Sequence, residues 1–168
     1  AGLTDTAEQG KSESRSLIES WHGKGRNRYV ITPRFAISCS TEQLIAAGRL
    51  HDQYPGTYIQ THLSENKDEI DSTLSLCPDC QDYLEVYERA RLVTDRSIFG
   101  HCIHLSDSEC RRLVEAGSVV AHCPTSNLFL GSGLFDMQQA NRVGMQTVLA
   151  TDIGAGTSFS MLRTMGFE

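Results

Sequence analysis

Four residues of this 168-residue chain combine the types and placement that chemistry at a substrate needs: His62, Glu65, His101 and Asp152. His62 closes the β-branched run "TYIQTH" (57 to 62), His101 closes "SIFGH" (97 to 101), and Asp152 closes "QTVLATD" (146 to 152). Two imidazole nitrogens and a carboxylate oxygen are suitable ligands for Zn²⁺ or Fe²⁺, and a catalytic metal keeps one position open for a water whose pKa it lowers to about 7. Glu65, three residues past His62, can turn back over such a site to collect a proton from water and deliver it to a substrate nitrogen. Taken singly, each residue has a plainer reading. A strand-end histidine is more often a hydrogen-bonded structural residue, an Asp before Gly a turn or cap, and Glu65 a first-turn glutamate of the helix at "SENKDE". Three metal-ligand types at corresponding strand ends make coincidence a poor account.

Such residues meet only if the fold brings strand ends together. Short apolar runs recur as "RYVITP" (28 to 33), "TYIQTH", "SIFGH", "SVVAHCP" (118 to 124) and "QTVLATD". Between them, helix formers at helical spacing fill 40 to 53, 66 to 92 in two pieces, and 106 to 117. The opening stretch, 5 to 27, reads as one more helix with a glycine-bearing exit. Ser40 or Thr41 can open a helix, Ser106 with Glu109 makes a capping box, and Gly117 is a natural stop. Strand then helix, repeated, predicts an α/β fold with a parallel sheet and right-handed crossovers, whose site lies at the carboxyl ends of the strands. The length suits one domain but is short of the roughly 250 residues of a complete (β/α)₈ barrel.

A net charge of -6 is spread thinly and hydrophobic content is 39%, so neither a nucleic-acid nor a membrane partner is expected. No apolar run approaches the roughly 18 residues of a membrane helix, and no export signal is visible at the start. The six cysteines sit among strand and helix patterns, which reads as reduced thiols of a cytoplasmic protein. Cys77 and Cys80 form "CPDC", but no second pair follows, so a helix-connecting turn is expected. "GSG" (131 to 133) and "GAG" (154 to 156) complete no phosphate-binding pattern and read as tight turns or close backbone approaches. The serines and threonine of "TSNLFLGSG" can bond a polar ligand or serve a loop equally well. His122 is the main rival ligand, His104 falls in a loop after His101, and His22 and His51 read as solvent-facing.

"THLSEN", "GHCIHLSDSE", "AHCPTSNLFLGSGLF" and "ATDIGAGTSFSML", with the upstream "ITPRFAISCSTEQL", closely resemble the guanine deaminases of the amidohydrolase superfamily, over roughly Trp21 to Leu162. The resemblance implies a zinc-dependent (β/α)₈ barrel, with iron as the alternative metal, that hydrolyses guanine to xanthine and ammonia in purine catabolism. Carried over, His62, His101 and Asp152 are metal ligands, with His62 also beside the substrate. Glu65 is the proton shuttle, Asp152 also orients or deprotonates the attacking water, and Arg34 and Phe35 bind the purine. His122 then ranks as pocket lining or an outer-layer residue. The family's His-x-His pair of the first strand has no counterpart in the sequence. The expectation is therefore a partial TIM-type barrel, one domain over 1–168 with five of eight strands, inactive by itself and homodimeric when complete. The alternatives are a deaminase of a related heterocycle such as 8-oxoguanine, or a fragment that does no chemistry.

Overall fold

The computed structural model describes residues 4–167. Five strands, β1 (Val30–Ile31), β2 (Tyr58–Leu63), β3 (Ser97–His101), β4 (Val119–His122) and β5 (Gln146–Leu149), form one sheet in the order β1-β2-β3-β4-β5. Every neighbouring pair is parallel. A parallel neighbour cannot be reached by a hairpin, so each connection carries helix. α1 (Ala7–Trp21) precedes β1, and α2 (Thr41–Gln53) links β1 to β2 after a 3₁₀ turn at Ala36–Ser38. α3 (Lys67–Leu76) and α4 (Tyr83–Arg89) link β2 to β3, and α5 (Asp107–Glu115) links β3 to β4. α6 (Pro124–Leu130) and α7 (Met137–Val143) link β4 to β5, and α8 (Met161–Met165) comes last. The sequential, all-parallel order is that of an open arc of a (β/α) barrel: the strand and helix patterns predict the parallel sheet, and the barrel is what the resemblance implies. No helix is long and apolar enough to cross a membrane among the described residues.

Helices start where polar caps follow strands. Asn66 accepts from the Glu69 amide and Glu69 reaches back, and Ser106 and Glu109 do the same at α5. Both capping boxes sit just past the strands that carry the histidines, so each strand end is short and fixed in direction. Alternation then sorts side chains. Ile59, Leu63, Phe99 and Val120 are fully buried under Leu84, Tyr87, Leu92 and Leu113 of the helical layer and its turns. The opposite row runs His62↔Gly100, Gly100↔Ala121 and Ala121↔Val148 across the sheet. Gly100 and Ala121 are small, which keeps space open beside the His62 ring.

Two expectations change. β5 stops at Leu149, so Asp152 is not the last residue of the strand. Ala150 still donates to the His122 carbonyl at 2.8 Å, after which the chain turns on itself, with the Gly156 amide on the Asp152 carbonyl at 2.6 Å. That turn is tight enough that a Cβ on Gly156 would lie 1.8 Å from the Thr151 oxygen. The first part of "TSNLFLGSG" is not a loop: Pro124 at the first turn and Gly131 in the left-handed conformation at the end bound the helix α6, and "GSG" follows as a turn. On the β5 side Phe159 and Leu162 are 83% and 82% exposed, an apolar surface that the described residues leave uncovered.

Candidate active site

His62 lies near the end of β2, on the open face of the sheet. Its amide and its ring Nδ1 both donate to the carbonyl of Arg34, at 3.1 and 2.7 Å, which pins ring and backbone to the chain leaving β1. Strict alternation would put His101 with Phe99 under the helices. Its backbone is left-handed instead (φ 66), and the ring swings to stack on His62 at 5.1 Å between centroids. The His101 Nδ1 donates to Asn127 Oδ1 of α6 at 2.9 Å, and the histidine is 2% exposed. Both acceptors are oxygens that only accept, so each ring keeps its Nε2 lone pair for the site.

Asp152 completes the set. One donor atom from each of His62, His101 and Asp152 lies within 4.8 Å of the others. Two neutral nitrogens and one carboxylate, half-buried to buried, fit a Zn²⁺ or Fe²⁺ ion. Left-handed backbone recurs here: Ser64, His101, Cys102 and Asp152 are four of the five described non-glycine residues with positive φ. Strain of this kind, costing on the order of 1–3 kcal/mol per residue, persists where surrounding structure enforces it and gathers at working sites.

Glu65 stands against this group, its Oε2 3.7 Å from His101 Nε2 and its Oε1 accepting from Ser132 Oγ at 3.3 Å. It is not in the first turn of α3 but just outside it, because Asn66 is the cap and Glu69 the capping partner. Its amide donates to Glu69 Oε2 at 2.9 Å, while Glu69 Oε1 accepts from Tyr83 at 2.7 Å. Beside that pair, Tyr87 donates to the His62 carbonyl at 2.8 Å and accepts from the Ala36 amide and the Thr61 hydroxyl, each at 3.0 Å. Burial pushes both tyrosines well above the ordinary phenol range, so they stay neutral donors.

The Tyr87→Phe variant would strip this junction of its hydroxyl and take a partner from three groups on two segments, the Ala36 amide and, on β2, the Thr61 hydroxyl and the His62 carbonyl. We expect a loss of about 1–3 kcal/mol of stability. A shift of the denaturation midpoint at constant slope would show it, and an unchanged midpoint would deny Tyr87 this role.

Arg34 and Phe35 follow β1 directly. The Arg34 guanidinium lies 5.7 Å from the centre of the Phe35 ring, and Phe35 packs at 5.2 Å on His62. Arg34 is exposed and Phe35 half-buried, so one offers donors and the other a ring face to a ligand above the histidines. Arg34, His62, His101, Cys123 and Asp152 line a cleft of about 450 Å³, within the range of small-molecule sites. Cys123 is no nucleophile at neutral pH: burial, then the nearby Asp152 charge, push its thiol up to about 12.

The remaining histidines separate cleanly. His122 stands with Val120 on the helix side and stacks on Phe135 at 4.9 Å, away from the ligand set. His104 Nε2 donates to the Ser132 carbonyl at 2.9 Å. His22 and His51 are half-buried, not solvent-facing; His22 accepts from the Tyr29 amide at 3.1 Å and His51 pairs with the Thr57 hydroxyl at 3.1 Å. "CPDC" is the turn between α3 and α4, with Cys80 N on the Cys77 carbonyl at 3.0 Å. Sequence reasoning overlooked Asn127 and Tyr87, and weighed Ser132 only as one of the hydroxyls of "TSNLFLGSG". The pair Pro124 and Gly131 signalled the helix that carries Asn127, whereas nothing local marks Tyr87 among core aromatics.

Comparison with known proteins gives the same family as the site. The chain is 50% identical over 163 residues to the guanine deaminase of Escherichia coli, covering 97% of this chain and 37% of that protein. The solved E. coli guanine deaminase superposes with a TM-score of 0.95. The guanine deaminase from Bradyrhizobium japonicum matches at 44% identity and a TM-score of 0.96, over 99% of this chain and 36% of the other. A guanine deaminase from C. acetobutylicum with bound guanine in its active site matches at 33% and 0.93, over 98% of this chain and 40% of the other. The chain thus spans little more than a third of the relatives it resembles. A family model described as "Amidohydrolase family" matches residues 3–167; with parallel strands that present two histidines and an aspartate at one cleft, the chain belongs to the amidohydrolase family.

Proposed function

We propose that residues 1–168 form one partial barrel domain that carries the second half of a guanine deaminase site. The observation that carries this reading is the convergence of His62, His101 and Asp152 within 4.8 Å with Glu65 3.7 Å from His101. His62, His101 and Asp152 would hold a zinc ion, with iron as the alternative. When bound, the metal supplies a Lewis acid and lowers the pKa of water. The reaction is hydrolysis: water adds to C2 of guanine, the C2–NH₂ bond breaks, and xanthine and ammonia leave. Glu65 takes a proton from the attacking water and passes it to the adjacent ring nitrogen. Asp152 orients the water and accepts its second proton, which then goes to the departing amine. Arg34 donates to the purine carbonyl and ring nitrogen, and Phe35 packs on the bicycle. When complete, the enzyme is cytoplasmic and homodimeric in this reading, and the 168 residues alone do not turn over.

The relatives support guanine over other purines, and the exposed Arg34 fork beside Phe35 is suited to an edge rich in acceptors. Turnover needs a closed barrel, so the test places this chain in the matching region of the E. coli enzyme. In that grafted barrel the Arg34→Ala variant loses charge-assisted hydrogen bonds worth about 1.5–3 kcal/mol, which predicts a KM for guanine raised by about 10- to 100-fold. A panel of guanine, 8-oxoguanine, adenine and cytosine should show guanine turned over best. Preference for another ring, or a KM indifferent to Arg34, would remove the substrate assignment.

A further inference from the structure

Two features have no task in the site described so far, the glycine pair of "GSG" and the half-buried His104. They meet at Ser132. We propose that the Gly131–Ser132–Gly133 turn is a positioning element for the proton-carrying carboxylate, in which the Ser132 hydroxyl holds Glu65 in the one rotamer that faces His101. The inference rests on the reading of Glu65 as the proton carrier.

Ser132 is fixed on both sides of its backbone. Its amide donates to the Asn127 carbonyl at 2.9 Å, and its carbonyl accepts from His104 Nε2 at 2.9 Å. The His104 amide in turn donates to the Ser64 carbonyl at 3.1 Å, one residue before Glu65. With the main chain held, the hydroxyl is left to donate to Glu65 Oε1 at 3.3 Å, so that Oε2 lies 3.7 Å from His101 Nε2. Asn127, which anchors the turn, also accepts from the His101 ring at 2.9 Å. One turn therefore sets a metal-ligand ring through Asn127 and the carboxylate beside it through Ser132.

The glycines make the turn possible. Gly131 has φ 71 and Gly133 φ 136, the latter open in practice to glycine alone. A Cβ on Gly133 would stand 3.0 Å from Ile103 Cγ2 and 3.4 Å from His104 Cε1, so a side chain there would push the turn off His104. A glutamate without this bond divides its time among rotamers. Only the fraction facing the reacting atoms carries protons, so the cost of losing Ser132 falls on the chemical step and not on binding.

Ser132→Ala and Ser132→Thr are to be compared in the grafted barrel, alone and with Glu65→Gln, together with bound metal. For Ser132→Ala we expect kcat for guanine to fall about 10- to 100-fold with KM within about twofold. Metal content should be unchanged, Ser132→Thr should recover most of the rate, and Ser132→Ala should cost nothing further once Glu65 is Gln. An unchanged kcat, a matching loss in the Glu65→Gln background, or loss of metal would overturn the proposal. A crystal structure of the Ser132→Ala chain reads the same contact without turnover. Glu65 should occupy more than one rotamer, and a single unaltered rotamer would overturn the proposal as well. Should the unsubstituted graft fail to deaminate guanine, the substrate reading falls by itself, and the crystal structure still decides Ser132.

Discussion

The Glu65→Gln variant should lower guanine turnover in the grafted barrel by about 10³-fold or more while leaving one metal per chain. Gln keeps the shape of the side chain and an oxygen for the Ser132 hydroxyl, which sits 3.3 Å from Oε1. It cannot take up a proton. Glu65 supplies none of the three donor atoms that lie within 4.8 Å of one another, so metal retention separates loss of proton transfer from collapse of the site. The fixed setting of Glu65, with its amide on Glu69 at 2.9 Å and its carboxylate 3.7 Å from His101, is what a proton carrier needs and a solvated cap does not. A Gln variant within a few-fold of the parent rate would take Glu65 out of the mechanism.

The second large effect is on metal. The 168-residue chain should bind about one equivalent of Zn²⁺ through its two histidines and one aspartate. His101→Ala should abolish stoichiometric binding, because a three-ligand site reduced to two protein donors no longer matches what zinc requires. His101 is the most informative of the three, since it is 2% exposed and its ring is fixed by Asn127. Elemental analysis after gel filtration reads the outcome. Undiminished zinc in the His101→Ala chain would place the metal elsewhere.

Much of this was legible in the sequence, for physical reasons that can be named. β2 and β3 were visible because "TYIQTH" and "SIFGH" are β-branched and apolar, and capping residues follow each. The capping boxes at Asn66 and Ser106 obey local hydrogen-bond rules, so the starts of α3 and α5 were accessible. Asp152 joins the two histidines with a backbone the pattern did not show: Ala150 and Thr151 separate it from the end of β5, and a left-handed aspartate leaves no mark on hydropathy. α6 was missed because "NLFL" has no helical period, and its buried polar residues, Thr125, Ser126 and Asn127, resemble a loop in composition. Partners far apart in sequence were beyond reach. Tyr87 bonds His62 across 25 residues and Ser132 bonds Glu65 across 67, and only the parallel winding of the sheet brings either pair together.

His62, His101, Asp152 and Glu65 are proposed to deaminate guanine when the barrel is closed around them. The most direct measurement is product formation by the zinc-loaded grafted barrel supplied with guanine, with xanthine followed by absorbance and ammonia by a coupled assay. Xanthine and ammonia are expected in equal amounts, at a rate removed by Glu65→Gln. A folded, zinc-loaded graft that leaves guanine unchanged would contradict this proposal.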